Sequence, residues 1–105
     1  MSYEMILLEN PTPGVGVVRL NRPQALNALT LPMVNGMRAA LDAWEHDPLV
    51  TRIIVQGAGD KAFCAGGDIR ALHDAGQAGD HQAMLDFWGR EYQLNVRISD
   101  YPKPY

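Results

Sequence analysis

The sequence predicts a mixed fold of the α/β (α+β) class: two strands, a helix and a third strand, then two further helices. Three observations carry this. Two apolar runs rich in strand-forming residues flank a Pro/Gly turn. A stretch with apolar residues at helical spacing separates them from a third apolar run. A second long helical pattern fills much of the rest.

Taken in order, Met5-Ile6-Leu7-Leu8 is the first run, stopped by Asn10-Pro11-Thr12-Pro13-Gly14, and Val15 to Leu20 is the second. Their pairing across the turn reads as a hairpin. Asn21-Arg22-Pro23 then breaks the strand. Thr30 is a good N-cap and Pro32 suits a first helical turn. Met33, Val34, Met37, Ala40, Leu41 and Trp44 follow at helical spacing, and Asp47-Pro48 ends that helix. Gly36 inside it costs roughly 0.8–1 kcal/mol against Ala, or marks a close packing contact. Ile53-Ile54-Val55 is a short buried strand with Gly57-Ala58-Gly59-Asp60 as its loop. The loop Phe63-Cys64-Ala65-Gly66-Gly67 leads into a helix from Asp68, a turn at Gly76 to Asp80, and a long helix to about Ile98. Tyr101-Pro102-Lys103-Pro104-Tyr105 follows.

Composition narrows the function classes. The chain has 105 residues, 47% hydrophobic and 20% charged, which fits one small globular domain and excludes disordered or collagen-like chains. A net charge of −3 gives no electrostatic reason to expect nucleic acid or an anionic membrane as partner. Cys64, the sole cysteine, cannot form an internal disulfide or a thiolate zinc site, so a reducing compartment is the simpler expectation. Met1-Ser2-Tyr3-Glu4-Met5 lacks the basic start and apolar run of a signal peptide. No stretch approaches the roughly 20 apolar residues that span a bilayer. The expected location is cytoplasmic.

Several motifs bear on chemistry. Gly57-Ala58-Gly59-Asp60-Lys61-Ala62 fits G-x-G-x-x-A after a strand. A dinucleotide fold needs a helix to begin there, and Phe63-Cys64-Ala65-Gly66-Gly67 cannot supply it, so a plain glycine turn is preferred. Gly66-Gly67-Asp68-Ile69 carries more information. Its glycines let a ligand approach the backbone, and the Gly67 N–H lies near a helix N-terminus that favours negative charge. That is the requirement of an oxyanion hole; the plainer alternative is a tight turn with Asp68 as N-cap. Phe87, Glu91, Leu94 and Ile98 stand at i, i+4, i+7 and i+11 on one helix face, bordered by Trp88 and Asn95. A carboxylate in an apolar stripe is costly unless paired or used, so Glu91 is either a functional group, half of a buried ion pair, or part of a cleft shaped only by packing. Cys64 is read as structural rather than nucleophilic. His46, His73 and His81 lack metal-ligand spacing, and His46 suits a helix C-terminus.

Together these segments resemble the crotonase (enoyl-CoA hydratase/isomerase) superfamily. Leu20-Asn21-Arg22-Pro23-Gln24-Ala25-Leu26-Asn27-Ala28-Leu29 is similar to its first CoA-binding segment, and Lys61 to Arg70 to its first oxyanion-hole segment. Phe87-Trp88-Gly89-Arg90-Glu91-Tyr92-Gln93-Leu94-Asn95, with the Tyr-Pro-Lys-Pro-Tyr ending, resembles the 3-hydroxyisobutyryl-CoA hydrolase branch. Gly89 departs from that branch's pattern, whereas Arg90-Glu91-Tyr92 keep it.

The resemblance implies a partial crotonase-like ββα spiral, with residues 1–105 as the N-terminal part of such a domain, ending before the second oxyanion-hole segment and the family's catalytic carboxylates. It implies that Gly67 donates its N–H to a thioester oxygen. Ala25, Leu26, Ala65, Gly66, Asp68 and Ile69 would line the CoA moiety, and Glu91 would contact the acyl group. The implied activity is hydrolysis of a short branched 3-hydroxyacyl-CoA thioester, as in valine degradation. The alternatives are enoyl-CoA hydration or isomerisation, or a non-catalytic binding module. The implied partner is an acyl-CoA thioester, without nucleic acid or membrane and with a homo-oligomer admissible. No separate cofactor is expected, because coenzyme A is part of the substrate.

Overall fold

The computed structural model describes residues 5–105. The reading of Met1 to Glu4 as lacking a signal peptide's start falls outside them. The elements are β1 (Ile6–Glu9), β2 (Gly14–Leu20), α1 (Leu31–Glu45), β3 (Val50–Gly57), α2 (Ile69–Gln77) and α3 (His81–Ser99), with a 3₁₀ turn at Pro23–Ala25 after β2. The expected α/β order is therefore found. No helix is long and apolar enough to cross a membrane among the described residues.

The sheet has the order β1-β2-β3. β1 and β2 pair antiparallel from Ile6 opposite Leu20 to Glu9 opposite Val17, which makes the expected hairpin. β2 and β3 pair parallel, with α1 as the connection. Most of β2, the central strand, is buried. β3 is longer than its apolar run Ile53 to Val55 suggests, because pairing with β2 carries exposed Arg52 and Gln56 into the ladder, while Thr51, at the register shift, donates its hydroxyl to Gly14 O.

Thr30 caps α1 by accepting the Met33 N–H, and the helix stops at Glu45 with His46 as C-cap. Met33, Val34, Met37, Ala40 and Leu41 form its buried face and join Val18, Leu20, Ile53, Phe87 and Leu94 in one core. Complete burial of each such aliphatic or aromatic group contributes about 1.5–3 kcal/mol. Gly36 is the close contact the sequence suggested: a Cβ there would stand 2.5 Å from Ile6 Cδ1. Asp68 and Asp80 cap α2 and α3 by accepting the N–H groups of Ala71 and Ala83. On α3, Phe87 and Leu94 are buried, Glu91 and Ile98 are half-buried, and Trp88 and Asn95 are exposed, so the expected face is the inner one.

Residues 101–104 strap the end of α1. Tyr101 Oη donates to Leu41 O at 2.7 Å. The Lys103 ammonium donates to the carbonyls of Trp44, Asp47 and Val50, the last at 2.6 Å. Trp44 and Asp47 belong to the helix end and the turn after it, where intrahelical donors run out, and Val50 opens β3. Ile53 N donates to Pro104 O at 2.8 Å, so the strap also touches β3.

Candidate active site

Because β2 and β3 are parallel, the loops that leave their carboxyl ends emerge at one edge of the sheet. Open α/β sheets bind ligands at that edge. Residues 21–30 follow β2 and residues 58–68 follow β3.

Asn27 joins the two loops. It is fully buried, and its backbone is left-handed, as is that of Leu26 before it. Asparagine tolerates this conformation better than most residues. Its Oδ1 accepts the Arg22 N–H at 2.9 Å, and its Nδ2 donates to Ala58 O at 2.9 Å and Ala62 O at 3.1 Å. Gly57 makes room for this approach, since a Cβ there would collide with the Phe63 carbonyl oxygen and crowd Asn27 Nδ2 at 2.9 Å.

The second loop is held along the first by backbone bonds. Ala65 N donates to Leu26 O at 3.0 Å, Leu29 N to Gly66 O at 2.7 Å, and Asp68 N to Leu29 O at 2.9 Å. Leu29 and Gly67 thus form a parallel bridge. The Leu29 bond has a directional effect. In a trans peptide the C=O and N–H point opposite ways, so pinning Gly66 O toward Leu29 turns the Gly67 N–H to the other side. That N–H has no partner among the described residues. It precedes the first turn of α2, where the helix dipole favours an anion.

The two glycines serve different ends. Gly66 has φ +94° and open space where a Cβ would go, so its requirement is conformational. Gly67 is needed for room: a Cβ would lie 3.1 Å from Glu91 Oε2 and 3.1 Å from Phe87 Cε1. Glu91 is half-buried, and its carboxylate makes no ion pair or hydrogen bond among the described residues. The ion-pair reading of Glu91 is therefore corrected: no guanidinium or ammonium reaches it, and it faces the Gly67 loop instead.

Asp68 fills the capping role read from the sequence and adds a second contact. One oxygen accepts the Ala71 N–H at 3.0 Å and the other meets Arg22 Nη1 at 3.1 Å. The capping N–H holds this carboxyl below its ordinary value; Arg22 adds to the pull and partial burial opposes it. Of the other expected residues, Ala65 and Leu26 meet through their backbones, and Ala25 closes the 3₁₀ turn. The Ile69 side chain is 77% exposed at the start of α2. Cys64 accepts the Gly66 N–H on its sulfur at 3.3 Å, inside the same loop. No helix opens after Gly57, as the glycine-turn reading of 57–62 required.

Gly67, whose free N–H precedes a helix, lies against a carboxylate from a neighbouring helix; such an N–H can hold a carbonyl oxygen, and such a carboxylate can accept a proton or a hydrogen bond. The chain belongs to the enoyl-CoA hydratase/isomerase family, whose sequence model matches residues 15–105. It is 56% identical over 90 residues to the mitochondrial 3-hydroxyisobutyryl-CoA hydrolase of Xenopus tropicalis, covering 86% of this chain and 23% of that protein. It is 47% identical over 102 residues to the protein of the same name from Homo sapiens, covering 97% of this chain and 26% of the relative. The chain thus spans about a quarter of the length of these relatives. Among solved structures, a carnitinyl-CoA dehydratase from Mycobacterium thermoresistibile superposes with a TM-score of 0.91 at 43% identity, covering 98% of this chain and 30% of that one. An enoyl-CoA hydratase from Rhodobacter sphaeroides gives 0.88 at 46% identity, covering 96% and 30%. The crotonase-type fold expected from the sequence is thereby established.

Sequence reasoning missed Arg22, Asn27 and the Leu29 backbone as site-forming groups. By local pattern Arg22 reads only as part of a strand break. Its partner Asp68 lies 46 residues away, beyond the reach of local pattern.

Proposed function

We propose that this chain supplies the CoA-lining and first oxyanion-hole segments of a thioester hydrolase acting on 3-hydroxyisobutyryl-CoA or a close short-chain relative, as in valine degradation. The observation that carries the reading is the Gly67 N–H beside the unpaired Glu91 carboxylate. The donor would hold the thioester oxygen, and Glu91 would accept a hydrogen bond from the acyl hydroxyl or from water. The likeness to proteins named 3-hydroxyisobutyryl-CoA hydrolase supports the branch. Ala25, Leu26, Ala65, Gly66, Asp68 and Ile69 would border the CoA moiety, which enters as part of the substrate, with no separate cofactor. The chain acts as the N-terminal part of the domain, in a cytoplasmic setting. Residues 1–105 alone would be catalytically inert, because they carry neither a second oxyanion donor nor the family's acid–base carboxylates; the lack of one such donor by itself costs about 10²–10³ in rate.

The test is CoA release from 3-hydroxyisobutyryl-CoA, measured with the 105-residue chain and with the product of the complete reading frame that encodes it. Release by the latter alone is expected. With the corresponding unsaturated acyl-CoA as a second substrate, loss of its enoyl chromophore without CoA release would assign hydration instead. Turnover by residues 1–105, with host enzyme excluded, would overturn the claim of inertness.

A further inference from the structure

The Gly67 N–H is aimed by backbone contacts that end on one side chain. Leu29 N–H holds Gly66 O, and Leu29 O holds the Asp68 N–H. Leu29 lies between two points that the Arg22 guanidinium fixes at once: Nη1 donates to Ala28 O at 2.7 Å and to Asp68 Oδ2 at 3.1 Å. The two side chains are each only 17% exposed, so water competes weakly for the pair. Asp68 is tied on its other oxygen to Ala71 N–H, which makes the start of α2 the far anchor. Arg22 itself is braced from behind, because its N–H donates to Asn27 Oδ1 and its carbonyl accepts the Asn27 N–H at 2.8 Å.

We propose that Arg22 is a positioning residue for the thioester carbonyl: by gripping Ala28 O and the Asp68 carboxylate together, it holds the Leu29–Gly66 hydrogen bond that turns the Gly67 N–H outward. Arg22 touches no substrate in this scheme. It acts through two backbone segments, and both contacts leave one nitrogen, Nη1, whose two N–H bonds serve the two acceptors. The inference rests on the thioester reading for its purpose, but the mechanical link from Arg22 to Leu29 does not.

The test uses the 105-residue chain and two NMR observables. The first is amide hydrogen exchange at Leu29, compared with Leu41 in α1 and Leu94 in α3. In Arg22→Gln, Leu29 exchange should rise about tenfold, the loss expected for a charge-assisted contact, while Leu41 and Leu94 stay within about twofold. Asp68→Asn keeps a capping oxygen and removes the charge, and should act in the same direction. Arg22→Lys should restore much of the protection. Unchanged Leu29 exchange, or equal acceleration at all three amides, would overturn the proposal, as would unfolding of both loss variants. The second observable is the Gly67 amide resonance on adding 3-hydroxybutyryl-CoA against free CoA. A thioester-specific shift in the native chain, weakened in Arg22→Gln at equal occupancy, is expected. If the native chain shows no such shift while Leu29 responds as stated, the thioester reading fails and the mechanical link stands. A native shift that Arg22→Gln leaves unaltered overturns the positioning role.

Discussion

Glu91 and Gly67 face each other across a gap that only a glycine leaves open: a methyl group on Gly67 would sit 3.1 Å from Glu91 Oε2. The carboxylate comes from the middle of α3 and the glycine from the loop before α2. Neither group is otherwise engaged through its polar atoms among the described residues. Two idle groups of complementary chemistry at one spot favour a ligand-facing role over a packing role.

Replacing Glu91 by alanine should therefore affect turnover more than stability. Loss of a hydrogen bond to a charged group is worth about 1.5–3 kcal/mol, or roughly 10- to 100-fold in rate in the complete enzyme. Stability should move by no more than about 0.5 kcal/mol, because no partner is stranded. Paired kcat and urea-midpoint measurements check this. A large midpoint change with unaltered activity per folded molecule would restore the packing reading.

Alanine at three glycines should give three different outcomes in urea denaturation. Gly57→Ala drives a methyl into the Phe63 backbone, which cannot yield cheaply, so its loss should be largest, above about 3 kcal/mol. Gly66→Ala meets open space but a left-handed backbone, for about 1–2 kcal/mol. Gly67→Ala should fall within about 1–3 kcal/mol and, unlike the others, should displace Glu91 directly. Equal losses at all three would show that local crowding and φ do not control these sites.

Lys103→Met keeps the aliphatic stem and removes the ammonium that serves three carbonyls. The expected cost is about 2–3 kcal/mol, read as a lower urea midpoint with an unchanged slope. Lys103→Arg should recover only part, because a guanidinium cannot occupy a site shaped around one nitrogen.

Acid should loosen the Arg22–Asp68 tie. The Asp68 carboxyl is lowered from 3.8 in the folded chain, so its contribution to stability is complete above that value. The contribution is lost as pH falls through the lowered folded value. Asp68→Asn, which lacks this titration, should be less stable than the native chain at neutral pH. The gap should close as pH falls through the lowered folded value. A gap independent of pH would mean that the charge of Asp68 contributes nothing.

The legibility of this fold varied with the range of its contacts. Caps at Thr30 and Asp68, the α1 face and the inner face of α3 are readable because each is decided within a turn or two of helix. The full length of β3 is not, since Thr51, Arg52 and Gln56 are held by β2 and not by their own apolarity. Gly67 and Glu91 could be singled out by residue type and phase, but their proximity comes from the packing of α3 against the loop. Asn27 and Arg22 were opaque for the same reason: their partners at Ala58, Ala62 and Asp68 lie 31 to 46 residues away.

The strap of residues 101–104 gives the chain an order of events in time. Its hydrogen bonds join partners 51 to 60 positions apart, so loop closure opposes them until the intervening helices have condensed. During synthesis the hairpin, α1 and β3 emerge well before Lys103 does. Until the lysine arrives, the Trp44 and Asp47 carbonyls are served only by neutral N–H groups of their own turn. The lysine engages as a latch on a molecule already largely shaped. Interactions that form after the transition state govern the rate of escape from the folded state more than the rate of reaching it. By that logic, the main kinetic effect of Lys103 is to lengthen the lifetime of the assembled chain.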